Sequence, residues 1–475
     1  MTKEVMLVQD LGFTYEGNQR STLNNINVNL DLGQIVFLTG RSGSGKSTLL
    51  NIINGIIPEV IEGQLIGDLW IDGQNHLKVH ERNLLLGNVF QNLRSQFFTT
   101  NTTSELVFEM ENCGVSHQDM VRRLKAINNK FKIEDLLDRH VMTLSSGERQ
   151  FLALLTALMI NPNILIFDEP SANLDYGNVM RLREQIGALK KEKKLIIIAD
   201  HRCFYLQGMM DRVLLLEDRT LKNYLSEEDF YQTYYGKRDF DLFSHVYPPR
   251  EISQTMIETV KINQVSYKQI LKDITLSFYR YEVAMIIGNN GAGKTSLAKL
   301  IARLLKPCKG SVEVESQPLY IMQEAEFQLF CSSCLKELEI TCHDNEKNKK
   351  ALQLVDLYDL KDKHPHSLSG GEKQRLQLAI AFVSSTDVII LDEPTSGLDK
   401  ASMEKIIAML QLLKKEKTII IISHDYEFIR GIADRIIYIA KHQIADDFYL
   451  EAQHIRRLNT IYNEMEQFYD KTIED

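Results

Sequence analysis

No apolar stretch of this chain approaches the ~20 residues that a membrane-spanning helix needs. The opening Met1-Thr2-Lys3-Glu4-Val5 shows no charged-then-apolar leader pattern either. Such a chain is expected to stay in the cytosol, reaching a membrane only through a partner. Cysteine is scarce, six in 475 residues, which suits reduced thiols rather than a disulfide framework. Cys331 and Cys334 have metal or redox spacing, but no second pair or nearby histidine cluster completes four ligands, so free thiols are expected. Excess basic charge is absent: the net charge of -9 argues against a nucleic-acid partner, whose phosphates select a basic footprint. Low-complexity segments are missing as well. What remains, 44% hydrophobic and 25% charged, is an ordinary globular composition, long enough for two or three domains.

What is present comes twice. Gly40-Arg41-Ser42-Gly43-Ser44-Gly45-Lys46-Ser47-Thr48 has a second copy in Gly288-Asn289-Asn290-Gly291-Ala292-Gly293-Lys294-Thr295-Ser296. An apolar run leads into each (Ile35 to Leu38, Val283 to Ile287), predicting strand, glycine loop and helix start. The glycines let consecutive N–H groups face one anion; the lysine adds charge at the β/γ-phosphates, and the Ser47 or Thr295 hydroxyl reaches Mg²⁺. Further markers pair in order: Gln91 with Gln323, Leu144 with Leu368, Asp168 with Asp392, His201 with His424. The separation is 248 at the lysines, 232 at the glutamines and 224 at the aspartates. Most of the length difference therefore precedes Leu144, where the first half carries an extra strand and turn between Ile61 and Gln74.

Alternating stretches (Ile26 to Leu30, Ile274 to Phe278) predict half-buried strands. The nearly unbroken runs Ile164 to Phe167, Leu195 to Ile198, Val388 to Leu391 and Thr418 to Ile422 predict parallel strands buried on both faces. Each half therefore reads as α/β. The expected division is residues 1–225, a linker at 226–253 whose aromatics dock on a neighbouring domain, and residues 254–475. The tail from Glu451 to Asp475 predicts one amphipathic helix. Asp168-Glu169-Pro170 and Asp392-Glu393-Pro394 end two of the buried runs. The Asp suits Mg²⁺ and the Glu suits activation of water.

Leu144-Ser145-Ser146-Gly147-Glu148-Arg149-Gln150 and Leu368-Ser369-Gly370-Gly371-Glu372-Lys373-Gln374-Arg375 resemble the signature motif of ATP-binding-cassette (ABC) ATPases. Ser171-Ala172-Asn173-Leu174-Asp175 and Thr395-Ser396-Gly397-Leu398-Asp399 are similar to that family's D-loop. The resemblance covers nearly the whole chain. It implies two tandem P-loop NTPase domains, each with a RecA-like core, an antiparallel β subdomain and a helical signature subdomain. ATP and Mg²⁺ are the implied cofactors, and each ATP lies between the phosphate loop of one half and the signature of the other. Site one would use Tyr15, Gly40, Ser42, Gly43, Gly45, Lys46, Ser47, Thr48, Gln91, Asp168, Glu169 and His201 with Ser369 and Gly371. Site two would use Tyr267, Gly288, Asn290, Gly291, Gly293, Lys294, Thr295, Ser296, Gln323, Asp392, Glu393 and His424 with Ser145 and Gly147. The tyrosines would stack on adenine. The glutamines, aspartates and hydroxyls of Ser47 and Thr295 would serve the metal, and Glu169, His201, Gln91, Glu393, His424 and Gln323 the hydrolysis.

Two positions break the symmetry. Ser146 stands where the second half has Gly370; if that position needs positive φ or close approach to phosphate, a Cβ costs on the order of 1 kcal/mol, which makes site two the weaker one. Asp200 stands where the second half has Ser423, and the sequence leaves its role open. After Gln91 come Gln96 and Ser104-Glu105-Leu106, and after Gln323 come Gln328 and Lys336-Glu337-Leu338. This pattern resembles the ATPases of energy-coupling-factor (ECF) importers. It implies a transmembrane coupling subunit and a substrate-capturing membrane subunit, uptake of a vitamin, vitamin precursor or metal ion, and a place at the cytoplasmic face of the cell membrane. The alternatives are a soluble ABC-F-like translation factor, which the short aromatic linker and acidic balance disfavour, and a fused sugar-importer ATPase, which the intact Lys294-Thr295 disfavours.

Overall fold

The computed structural model describes residues 4–172, 174–233 and 257–471. The expected D-loop residue Asn173 and the linker aromatics Tyr234, Tyr235, Phe240, Phe243 and Tyr247 lie outside them. The chain separates into two compact units, one built on Met1–Leu174 and Asn178–Asp241, the other on Asp175–Gly177 and Leu242–Asp475.

In the first unit a six-stranded sheet runs in the order Thr220–Tyr224, Arg212–Glu217, Ile35–Gly40, Leu195–Ala199, Ile164–Asp168, Leu86–Val89. All neighbours are parallel except the first pair. Its strands are apolar throughout because both faces are covered. Ile35, Phe37, Phe167 and Ile198 pack with the helices, whereas Val36, Leu38, Ile166 and Ile197 join the core shared with an antiparallel sheet. That second sheet orders Leu23–Asp31, Glu4–Tyr15, Gly63–Ile71 and Gln74–Asn75; Gly63–Ile71 pairs with Glu4–Tyr15 as Lys309–Val314 pairs with Glu258–Tyr267 in the second unit, so of the extra strand and turn expected from the sequence only the short strand Gln74–Asn75 is an addition. Helices Thr102–Asn112, His117–Phe131 and Ser146–Met159 form the helical part. The expected linker begins with the helix Glu227–Tyr231, whose Phe230 is buried in the first unit's core.

The second unit repeats the plan. Its six strands run Leu319–Ile321, Val388–Asp392, Thr418–Ile422, Val283–Ile287, Arg435–Ala440, Gln443–Tyr449. The antiparallel sheet has three strands, Leu271–Tyr279, Glu258–Tyr267 and Lys309–Val314. The residue before each strand that feeds a glycine loop closes the preceding turn: Asp31 N donates to Gln34 Oε1 at 3.0 Å, and Tyr279 N to Glu282 Oε1 at 2.8 Å. Glu282 is buried beside Arg435, which also forks onto both oxygens of Asp447 at 2.6 Å. Burial outweighs that partner and pushes the Glu282 carboxyl up to about 7. After a short turn at Ala452–His454, the helix Ile455–Lys471 buries Leu458, Ile461, Tyr462 and Met465, one stripe at helical spacing.

Candidate active sites

Each glycine loop bends where only glycine fits. Gly40 and Gly288 both have φ 150, and a Cβ on either would sit 2.4 Å from a carbonyl oxygen of the neighbouring strand, Leu216 or Ile439. Gly45 and Gly293, at φ 105 and 103, start the helices Lys46–Ile53 and Lys294–Ile301. Both lysines fold back over their loops: Lys46 Nζ donates to Gly40 O at 2.9 Å, and Lys294 Nζ to Gly288 O at 2.7 Å and Asn289 O at 3.0 Å. Burial pushes the Lys294 ammonium down, while Glu393 and Asp392 act against that shift. Ser42, Gly43 and Ser47 in the first loop, and Gly291 and Thr295 in the second, are exposed. Ser296 is partly exposed.

The acidic pairs end the strands Ile164–Asp168 and Val388–Asp392. Glu169 and Glu393 both adopt a left-handed backbone, φ 46 and 50, fixed by N–H bonds to Ala199 O at 2.7 Å and Ile422 O at 2.9 Å. A non-glycine residue in that region stores local strain, here in the same place twice.

Around these common parts the two sites differ. In the first, Gln91 Nε2 donates to Glu169 Oε2 at 2.6 Å, and His201 Nε2 lies 3.4 Å from Glu169 Oε1 and 3.3 Å from Lys46 Nζ. Gln91, Glu169, His201 and Lys46 thus form one connected chain. In the second, His424 turns its Nδ1 to Glu393 Oε1 at 2.9 Å, and its buried Nε2 has no hydrogen-bond partner among the described residues. Gln323 is exposed. Asp392 accepts from Tyr320 OH at 2.7 Å and Thr295 Oγ1 at 3.5 Å. Asn88 occupies the position that corresponds to Tyr320, so the first site lacks that donor. Burial first, then Glu169, pushes the Asp168 carboxyl up to about 6; Asp392 is raised as well, with Tyr320 working against the shift. Asp168, crowded by Glu169, and Asp392, beside the Thr295 hydroxyl, are hard oxygen donors of the kind that Mg²⁺ takes.

Asp200 has a structural role. It is 3% exposed. Its Oδ2 accepts from Ser171 Oγ at 2.7 Å and Tyr205 OH at 2.9 Å, and its Oδ1 accepts from the N–H groups of His201 at 2.7 Å and Arg202 at 3.1 Å. One carboxylate therefore fastens the segments around Ser171 and His201 together. At the equivalent place Ser423 Oγ accepts from Asp425 N at 3.1 Å.

Tyr15 donates to or accepts from Thr48 Oγ1 at 2.9 Å, with its ring edge against Phe13. Lys268 Nζ lies 5.3 Å from the centre of the Tyr267 ring. Ser145 and Ser369 cap the helices Ser146–Met159 and Gly370–Val383 in reciprocal capping boxes with Glu148 and Glu372. A Cβ on Gly147 would lie 2.2 Å from Asn178 Oδ1, and one on Gly371 3.3 Å from Leu398 Cδ2. Gly370 has no left-handed φ and a Cβ there meets no protein atom within 4 Å. Backbone strain is therefore not a reason for Ser146 to be costly. Cys331 and Cys334 form no disulfide, and among the described residues no group of three or more His, Cys, Asp or Glu side chains gathers to hold a metal through those side chains alone.

The Gln and Glu-Leu pattern closes a loop on its own strand. Gln96 accepts from Phe90 N at 3.0 Å and donates to Asn88 O at 3.1 Å; Gln328 accepts from Met322 N at 2.7 Å and donates to Tyr320 O at 2.8 Å. Buried Glu105 accepts from Thr99 N at 2.7 Å, and buried Glu337 from Cys331 N at 2.6 Å. Between these braces, Phe98 is 73% and Phe330 79% exposed.

Two glycine loops, each with a buried lysine, an acidic pair and a histidine, define a doubled P-loop nucleoside triphosphatase. The family profile described as ABC transporter matches residues 23–172 and 271–396, and the chain belongs to that family. A Treponema denticola protein provisionally named an ABC transporter ATP-binding protein is 33% identical over 477 residues, 93% of this chain and 97% of its own. A Bacillus subtilis protein provisionally named HMP/thiamine import ATP-binding protein YkoD is 27% identical, over 94% of this chain and 91% of its own. Among solved structures, the archaeal ribosome recycling factor aABCE1, in complex with the ribosomal stalk protein aP1, is similar at TM-score 0.65 and 23% identity, covering 95% of this chain and 92% of that one. An RNase-L inhibitor is similar at TM-score 0.62 and 20% identity, covering 95% and 93%. These two likenesses are of fold. The chain is an ATP-hydrolysing enzyme of two tandem ABC domains, a family whose domains in general bind ATP with Mg²⁺. No helix among the described residues is long and apolar enough to cross a membrane.

Proposed function

We propose that this chain is the ATP-binding and ATP-hydrolysing subunit of an ECF-type importer. It would work at the cytoplasmic face of the cell membrane through a transmembrane coupling subunit and a substrate-capturing subunit, in uptake of a vitamin, vitamin precursor or metal ion. The observation that carries this reading is the pair of braced loops that hold Phe98 and Phe330 out to solvent just after Gln91 and Gln323. A large aromatic side chain on a rigid support is an anchor for an apolar partner surface. The provisional name of the Bacillus subtilis relative, HMP/thiamine import, supports the vitamin class.

In this reading the halves, 1–225 and 254–475, pair head to tail within one chain. Ser369 and Gly371 complete the Lys46 site, and Ser145 and Gly147 complete the Lys294 site. Lys46 and Lys294 neutralise the β/γ-phosphates. Glu169 and Glu393 take the proton of the attacking water, and His201 and His424 hold the γ-phosphate side of the site. Ser47, Gln91 and Asp168, or Thr295, Gln323 and Asp392, would hold Mg²⁺, which offsets phosphate charge. Tyr15 and Tyr267 lie at the adenine end.

Purification of the tagged chain from solubilised membranes tests the reading. Integral membrane proteins are expected to accompany it, and to be lost from Phe98→Ser/Phe330→Ser while that variant keeps basal ATPase activity. Recovery with ribosomes and no membrane protein overturns the transport reading in favour of a translation factor, and a sugar-transporter membrane pair would point to the third alternative.

A further inference from the structure

The second switch histidine is held from outside its own loop. Tyr462 OH donates to the backbone carbonyl of His424 at 2.9 Å. Tyr462 is 1% exposed, in the apolar stripe of the helix Ile455–Lys471. Its ring stands edge-on to Tyr426, with centres 5.1 Å apart. The Tyr426 hydroxyl in turn donates to Asn459 Oδ1 at 2.5 Å, one turn earlier on the same helix. A bond to the His424 carbonyl fixes the peptide plane after the histidine. It thereby fixes the direction in which the imidazole leaves the chain, with Nδ1 on Glu393 and Nε2 buried beside it.

The first half achieves the same end differently. Asp200 binds the N–H groups of His201 and Arg202 directly. The helix that follows that half's last strand, Glu227–Tyr231, is engaged elsewhere: Glu227 accepts from Gly208 N at 2.7 Å, and Phe230 lies in the core. Ser423, in the place of Asp200, has too short a side chain to gather several donors. The second loop therefore has a hydroxyl from a distant helix where the first has an internal carboxylate.

We propose that Tyr462 is a positioning residue for His424, which makes the C-terminal helix a control element of the second ATP site alone. The proposal rests on the reading of His424 as part of that site. It is tested in the full chain with 8-azido-ATP. Photolabelling without hydrolysis reports binding, vanadate trapping reports turnover, and mass spectrometry of the two phosphate-loop peptides separates the halves. In Tyr462→Phe, which keeps the packed ring, binding is expected to stay within about twofold in both halves. Trapping in the second half falls about fivefold, the scale of one lost hydrogen bond, and the first half is unchanged. Asn459→Ala removes the helix's other polar tie and is expected to leave trapping intact. Equal loss in both halves, or equal loss in Asn459→Ala and Tyr462→Phe, assigns the effect to general packing and overturns the proposal. His424→Ala separates the two levels. If it abolishes second-half trapping and Tyr462→Phe does not, the positioning role alone falls; if it leaves trapping intact, the histidine's assignment falls and the proposal with it.

Discussion

In the first half the segment bearing the switch histidine hangs on the buried carboxylate of Asp200; in the second it hangs on the hydroxyl of Tyr462. The acidic pairs show a similar exchange. Glu169 is held by Gln91, whereas in the second half Tyr320 and Thr295 hold the neighbouring Asp392. The glycine loops, the lysines and the left-handed glutamates are nearly superimposable in their local geometry. The glycine loops, lysines and acidic pairs are thus kept, and what varies is the contacts of the histidines and glutamines and the groups that fasten them. Because a charge-assisted bond is stronger than a neutral one, the first histidine segment is the more firmly fastened of the two.

The largest effect that bears on this contrast comes from the glutamates. Glu169→Gln and Glu393→Gln are each expected to lower ATP turnover at their own site by about 100-fold or more, since each removes a general base. If site two is the weaker one, steady-state turnover falls further with Glu169→Gln. Equal losses would remove the functional asymmetry and leave only the structural one. Asp200→Ala strands the hydroxyls of Ser171 and Tyr205 and three backbone N–H groups, a loss of about 3 kcal/mol of stability for the first unit. Chemical denaturation should show it, with Asp200→Ser, the residue of the second half, losing less.

Next in size is a pH effect in the second unit. Burial raises the Glu282 carboxyl from its ordinary 4.5 to about 7 in the folded protein. Folding thus favours its protonated form, and that contribution is complete below about 4.5 and lost as the pH rises through about 7. Gln34 fills the corresponding place in the first half, so Glu282→Gln imports a natural counterpart. Arg435 keeps Asp447 in that variant. The variant is expected to flatten the fall in stability across this window by about 3 kcal/mol, read from denaturation midpoints at several pH values. Smallest is Tyr320→Phe, which removes a donor from Asp392 and should raise that carboxyl further. Mg²⁺ titration of ATP hydrolysis is expected to show that the second site then needs about threefold more Mg²⁺, toward the behaviour of the first.

Much of this was legible in the sequence because its signals are local. The glycine loops and the acidic pairs are contiguous, and the buried strands announce themselves as unbroken apolar runs whose alternate residues face two cores. The Gln and Glu-Leu spacing was visible too, but its meaning as a pair of braces needed the backbone groups of Phe90, Thr99, Met322 and Cys331 in place. What stayed hidden joins residues far apart in the chain. The partner of Tyr320 lies 72 residues on, and that of Tyr462 is 38 residues back. The replacement of Asp200 by Ser423 was apparent, but its consequence depends on Tyr205 and Ser171 arriving at the same carboxylate. Of the two grounds on which Ser146 was expected to be costly, a positive φ and a close approach to phosphate, the backbone at Gly370 removes the first.

The braced loops also bear on how a duplicated gene of this kind can diverge. Gln96 and Glu105, like Gln328 and Glu337, fasten their loop to main-chain groups of the same short stretch, and in the second half Gln377 adds a bond to Gln328 Oε1 at 3.2 Å and His366 one to the Leu329 carbonyl at 3.0 Å. Mutations at Phe98 or Phe330 alter what each copy shows to the outside without disturbing the loop's shape. One copy can thereby acquire a new recognition surface while its twin retains the ancestral one.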